Sequence, residues 1–276
     1  MTWHASLQLD YTCESNRSVA RYLHQGPLRI LQSLYPEGDA ICHNVLVHPP
    51  SGLVGGDTLD MQVSVGPGAH GLVTTPGATR FYRSEAGLAT QQVKAHVAAG
   101  GRLEWLPLEA IAYNGCDALN RAEFDLAPGA EMMAWDITAL GLPAADLPFE
   151  QGQFRQHIEV AGAWLERGTL NAEDTRLMNS PLGMAGQRCM ASLVFASGSA
   201  LAPERTDRAL ALARECIETS TLRLSAGATS PHPQIMVLRV LSPVTEPTVQ
   251  LLREVWAAWR QEMWGLSGTL PRLWNL

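Results

Sequence analysis

Apolar and polar residues alternate at period two in several short runs along the first two thirds of the chain, each run bounded by Gly and Pro. Leu59, Met61, Val63 and Val65 make the clearest run; Val93, Ala95 and Val97 make another, and Phe124 and Leu126 end a third. Successive side chains of a strand point to opposite faces, so the pattern predicts half-buried β-strands. The runs also end alike. Val65-Gly-Pro-Gly68, Val97-Ala-Ala-Gly100 and Leu126-Ala-Pro-Gly129 are followed by a shortened Val160-Ala-Gly162 and by Phe195-Ala-Ser-Gly198, with 32, 29, 33 and 36 residues between successive glycines. An apolar residue, a turn and a glycine recurring at about 30-residue intervals point to stacked units that bury their faces against one another. The expected fold is mainly β, a layered β-helical or stacked-sheet architecture.

The last third changes period. Thr206 to Thr219 lacks Pro and Gly, and its apolar Leu210, Leu212, Ala213 and Ile217 fit a helix. Pro247 suits the first turn of a second helix. From there Leu251, Leu252, Val255, Trp256, Trp259 and Met263 recur at helical spacing until Gly265. Such a stripe is core by preference, with a partner contact through Trp256 and Trp259 as the second option. Nothing resembling a linker divides the chain, so a single domain over 1–276 is expected, β-rich over 1–200 and helix-containing over 201–276.

Composition narrows the function classes. The 276 residues are 46% hydrophobic, enough for a large core. With 20 basic against 27 acidic residues, the net charge of −7 argues against nucleic-acid binding. All basic residues but Lys94 are Arg, and Lys94 sits in Gln-Val-Lys-Ala, so there is no phosphate-loop lysine and little scope for Schiff-base chemistry. The five cysteines (Cys13, Cys42, Cys116, Cys189 and Cys216) are scattered, with no CxxC, which fits reduced thiols. The start has no signal-peptide layout, and no apolar run reaches the ~20 residues that span a bilayer. A soluble cytoplasmic protein without membrane contact is expected.

The densest chemical cluster is Cys42-His-Asn-Val-Leu-Val-His48-Pro-Pro-Ser-Gly-Leu-Val-Gly-Gly-Asp57, with a thiol, two imidazoles and a carboxylate within 16 residues. These suit a borderline metal ion. On a regular strand, however, Cys42 and His48 share a face while His43 points away. Thr74 to Arg83 reads as a surface turn, or as an anion site. Glu104 and Glu109 flank the apolar Trp105-Leu-Pro-Leu108, and Glu104 is expected at the surface. Neither a Gly-x-Ser-x-Gly elbow nor a His-Glu-x-x-His helix is present.

Several of these segments, in order, resemble one family. Gly26-Pro-Leu, Leu31-Gln with Tyr35-Pro-Glu37, Cys42-His with His48-Pro-Pro and Gly55-Gly-Asp57, Thr74-Thr-Pro-Gly-Ala-Thr79 with Tyr82-Arg-Ser84, Leu103-Glu-Trp-Leu-Pro107 with Glu109, and the terminal Pro271-Arg-Leu-Trp-Asn275 are similar to the motifs of the urease accessory protein UreD, or UreH, family. Departures are Leu142 in place of a usual Arg, Asp146-Leu147 in place of Gly-Glu, and Leu108 in place of a frequent Gln; Asp146 or Glu150 are the substitutes for the missing Glu. The resemblance implies a non-enzymatic maturation factor with two helices. It would bind apo-urease and UreF, engage the GTPase UreG through UreF, and help deliver nickel along an internal path without holding any cofactor tightly. It makes Asp57 and Glu109 the leading carboxylates for transient Ni²⁺ contact, ahead of His43, His48 and Cys42, because a path needs ligands that exchange the ion. Two other readings remain: a metal-dependent hydrolase or isomerase using His43, His48 and Asp57, and a metal-free β-scaffold acting through its last helix.

Overall fold

The computed structural model describes residues 2–50 and 52–275. In chain order its strands are β1 (His4–Glu14), β2 (Arg17–Gln25), β3 (Arg29–Leu34), β4 (Cys42–Val47), β5 (Gly52–Leu53), β6 (Thr58–Val65), β7 (His70–Thr74), β8 (Thr79–Phe81), β9 (Ala89–Val97) and β10 (Arg102–Leu106). Next come β11 (Ala110–Ala112), β12 (Cys116–Leu126), β13 (Glu131–Leu140), β14 (Gly152–Val160) and β15 (Trp164–Asn171). Helix α1 (Thr175–Asn179) leads to β16 (Cys189–Ser197), α2 (Pro203–Thr219), β17 (Ala226–His232), β18 (Ile235–Ser242) and α3 (Thr245–Trp264). The expected two C-terminal helices are α2 and α3, with the hairpin β17–β18 between them. The short α1 carried no periodic signal.

The period-two runs become the rungs of a stacked β-solenoid. The first sheet runs β15-β14-β12-β9-β6-β1-β2, parallel in its middle and closed by an antiparallel hairpin at each edge. Register aligns like with like: Val63, Ala95 and Phe124 are cross-strand neighbours, as are Met61, Val93 and Ala122. Each rung then turns into the second sheet, ordered β17-β18-β16-β13-β10-β7-β4-β3, with β5, β8 and β11 on a short flank. The turn is the glycine corner. Gly68, Gly100 and Gly129 all have φ between 70° and 82°, and Gly100 N–H donates to Gly129 O at 3.1 Å.

The last two members of the glycine series play other parts. Gly162 lies in the β14–β15 hairpin, and Gly198 packs against the corner of another rung, where an added Cβ would stand 1.9 Å from Ala127 O. A second corner, missed in the sequence, is built by Gly56, Gly87, Gly115 and Gly152, all with positive φ.

Two apolar layers result. One fills the solenoid; the other lies between the second sheet and the helix pair, where Leu193, Phe195 and Leu238 meet Leu210, Ala213, Ile217, Leu252, Trp256 and Trp259. Burial on both faces explains why β13, β16 and β18 read as continuous apolar runs, not as alternating ones. Helix α3 stops at Gly265, whose φ of 67° lets its N–H reach the Arg260 and Gln261 carbonyls. Among the described residues no helix is long and apolar enough to cross a membrane.

Candidate functional site

Inward-facing positions of β6, β9, β12 and β14 in the first sheet are apolar except for one row. Gln91, Asn120 and Gln156 are in register on β9, β12 and β14, and Gln91 and Asn120 each stand nine residues before their corner glycine. The row continues sideways. Thr79 Oγ1 donates to Gln91 Oε1 (3.2 Å), Gln91 Nε2 to Asn120 Oδ1 (3.2 Å), and Asn120 Nδ2 to Asp136 Oδ2 (2.6 Å). Gln156 Nε2 and Thr138 Oγ1 both donate to Asp136 Oδ1. Every donor in this track points toward Asp136.

Asp136 therefore carries a carboxyl among neutral partners between the two sheets. Burial pushes it up to about 6, and nearby Glu166 adds to the shift against the opposing hydrogen bonds. A buried carboxylate needs a proton or a cation. The group faces a cavity of about 30 Å³, shared with Gln91, Asn120 and Ser192 and walled by Met132, Val194 and Trp164; this is room for a water-sized species. At one end Gln91 also lines a cleft of about 220 Å³ with His48, Thr75 and Thr79. At the other, Ser192 also lines a cleft of about 510 Å³ with Glu166 and Arg239. Polar side chains thus lie between two clefts in the solenoid interior.

A second polar cluster pins α3 to the second sheet. Glu104, expected at the surface, is instead fully buried. Its carboxylate accepts from His70 Nε2 (2.8 Å), Trp256 Nε1 (2.6 Å) and Arg260 Nε (3.1 Å). Arg260, also fully buried, donates through its terminal nitrogens to both oxygens of Glu37, and Glu37 accepts from His43 Nε2 at 2.9 Å. Burial favours a neutral His70 and draws its imidazole below the ordinary value. Burial alone would raise Glu37, but His43 and Arg260 outweigh it and bring the carboxyl down to about 2. The motif pieces Tyr35-Pro-Glu37, Cys42-His43 and Glu104 are thus joined by a structural ion network.

The residues picked out in the sequence are spread over the molecule. Asp57 is buried and its oxygens accept from Trp3 N (3.1 Å) and Val54 N (3.0 Å), so it ties the first strand to the Gly-Gly turn. His48 packs on Trp3 with ring centroids 4.9 Å apart, and burial lowers its pKa despite Asp57 nearby. Cys42 points into the solenoid core and His43 into the ion network, on opposite faces as the strand geometry predicts. Glu109 lines a separate groove of about 610 Å³ with Glu246, Arg253 and Trp274. Asp146 and Glu150 are exposed on a turn away from the cavity. Trp256 and Trp259 are fully buried, because their faces of α3 close the second apolar layer, so neither offers a surface to a partner.

His43, His48 and Asp57 do not converge on one ion. Among the described residues the His, Cys, Asp and Glu groups near enough to share one are Glu123, His157 and Glu159, on the outer face of the first sheet. There Arg121 and Lys94 already meet Glu123. Sequence reasoning missed Asp136 and the row that feeds it. Its signal was polar residues at inward positions of successive repeats.

Fold and site define a β-solenoid scaffold with a helical cover and a hydrogen-bonded polar track in its interior. A family model described as UreD urease accessory protein matches residues 4–275. A urease accessory protein UreD of Paracidovorax citrulli (strain AAC00-1) is 63% identical over 276 residues, covering all of both chains. One from Variovorax paradoxus (strain S110) is 63% identical over 274 residues and 99% of each chain, and one from Leptothrix cholodnii (strain ATCC 51168 / LMG 8142 / SP-6) is 52% identical over the whole of both. The chain belongs to the UreD family of urease accessory proteins, and its role lies in urease maturation.

Proposed function

We propose that this protein is the scaffold of a cytoplasmic urease-maturation complex. It binds apo-urease and UreF, engages UreG through UreF, and lets Ni²⁺ pass through its polar track as cargo, without catalysing a reaction itself. The observation that carries the reading is Asp136, a buried carboxyl with neutral partners, beside a cavity that shares Gln91 with one cleft and Ser192 with another. Amide, hydroxyl and carboxylate oxygens bind a hard or borderline divalent ion and exchange it, whereas thiolates would retain it. The side-chain carbonyls of Gln91 and Asn120 can turn toward a passing ion, and Asp136 supplies the compensating charge midway. Asp57 suits this role less, since both its oxygens are engaged by backbone N–H groups. Glu109 remains available to a cation at its own groove.

Asp136→Asn tests the reading, because the amide keeps the shape and removes the charge. The variant is expected to retain apo-urease and UreF in a pull-down and to lower urease activation at limiting nickel. Full activation would overturn the nickel path; loss of both partners by the wild-type chain would overturn the scaffold.

A further inference from the structure

The polar track ends at an ion pair that joins the two sheets. Glu166 lies on β15, the edge strand of the first sheet, and Arg239 lies on β18 of the second; these strands share no backbone pairing. Arg239 donates to Glu166 Oε2 at 2.8 Å, and Ser192 Oγ donates to the same oxygen at 3.5 Å. Ser192 is the cross-strand neighbour of Arg239 and belongs both to the interior cavity and to the outer cleft. On β18, Ile235 and Val237 face the solenoid core, and Arg239 continues that side with a charge. The mouth is thus spanned by one guanidinium whose side chain is 59% exposed, against a carboxylate only 18% exposed.

Resting on the nickel-transit reading, we infer that Arg239 is an electrostatic gate at this mouth. It occupies Glu166 as a tethered cation and yields it when Ni²⁺ passes or when an acidic group of a docked partner draws the guanidinium outward. The exchange balances in charge. With Arg239 in place Glu166 is neutralised; with Arg239 withdrawn, Glu166 at the mouth and Asp136 midway leave two carboxylates along the track. An exposed pair of this kind is weak enough to open readily, and Arg is long enough to swing clear while keeping its stem on the sheet.

The test is Ni²⁺ binding to the full-length chain by titration calorimetry, with folding checked by circular dichroism. Arg239→Gln is expected to tighten binding roughly two- to fivefold, the range that loss of one exposed counter-charge allows. Arg239→Glu is expected to tighten it further, and Arg239→Gln with Glu166→Gln to abolish the gain. If Asp136→Asn weakens binding while both Arg239 variants bind as wild type, the gate is wrong and the path stands. If Asp136→Asn also binds as wild type, path and gate fall together.

Discussion

Arg260 meets Glu37 and Glu104 with its own side chain fully buried, and the three charges survive only because each is paired. Glu37 makes the pH dependence definite. Its folded pKa of about 2 lies below the ordinary value of 4.5, so its contribution is present in full above about pH 4.5 and is lost as pH falls toward 2. Glu37→Gln is expected to cost up to ~3 kcal/mol at neutral pH, with the gap to wild type closing between pH 4.5 and 2 in urea unfolding curves. A gap that stayed constant through acid would show that Glu37 acts by packing alone. Asp57→Ala, which strands the Trp3 and Val54 N–H groups, should cost ~1–3 kcal/mol in the same measurement. The Gly55-Gly-Asp57 motif made Asp57 visible, but nothing local distinguished a capping carboxylate from a ligand. Glu104 was misplaced for a related reason: Arg260, which makes its burial tolerable, lies 156 residues away.

At the scale of strands and corners, most of the solenoid was legible, because parallel rungs repeat one inward pattern and one turn. The spacing of Gly68, Gly100 and Gly129 identified a real corner, with φ values that L side chains rarely adopt. It overran at Gly162 and Gly198, where the chain leaves the parallel stack for antiparallel strands while still using Gly at turns. The second corner escaped notice because its loops differ in sequence and share only the glycine. The two corners differ in tolerance. At Gly100 an added Cβ would meet its nearest neighbour at 3.8 Å, so Gly100→Ala should cost only the left-handed strain, ~1–2 kcal/mol. At Gly152 the Cβ would stand 2.3 Å from Cys116 O, a backbone atom that cannot turn aside. Gly152→Ala should therefore destabilise at least twice as much by urea unfolding, and equal losses would mean that the corner relaxes. The polar row was legible in principle too, since Gln91 and Asn120 occupy the repeat position that Leu59 fills one rung earlier.

Across the whole molecule, the helix pair decides which tryptophans are open to partners. The apolar stripe of α3 was visible in the sequence, but its destination was not, because the second sheet that receives it reads as apolar on both faces. Trp259 is enclosed by that layer and donates Nε1–H to Ala209 O at 2.8 Å, fastening α3 to α2. Truncating it leaves a large cavity, and Trp259→Ala is expected to cost ~3–5 kcal/mol. Trp259→Phe keeps most of the volume and loses mainly the hydrogen bond, ~1 kcal/mol. If the side chain serves the fold, capture of apo-urease and UreF should track stability: Trp259→Phe retains both partners, and Trp259→Ala regains them in a stabilising osmolyte or at lower temperature. A Trp259→Ala protein that unfolds at the wild-type urea concentration yet captures neither partner would place this residue at an interface and require α3 to lift from the sheet on binding. The ion network around Arg260 opposes such lifting, since separating α3 from Glu37 and Glu104 would strip Arg260 of both its carboxylates and leave those to His43 and His70 alone.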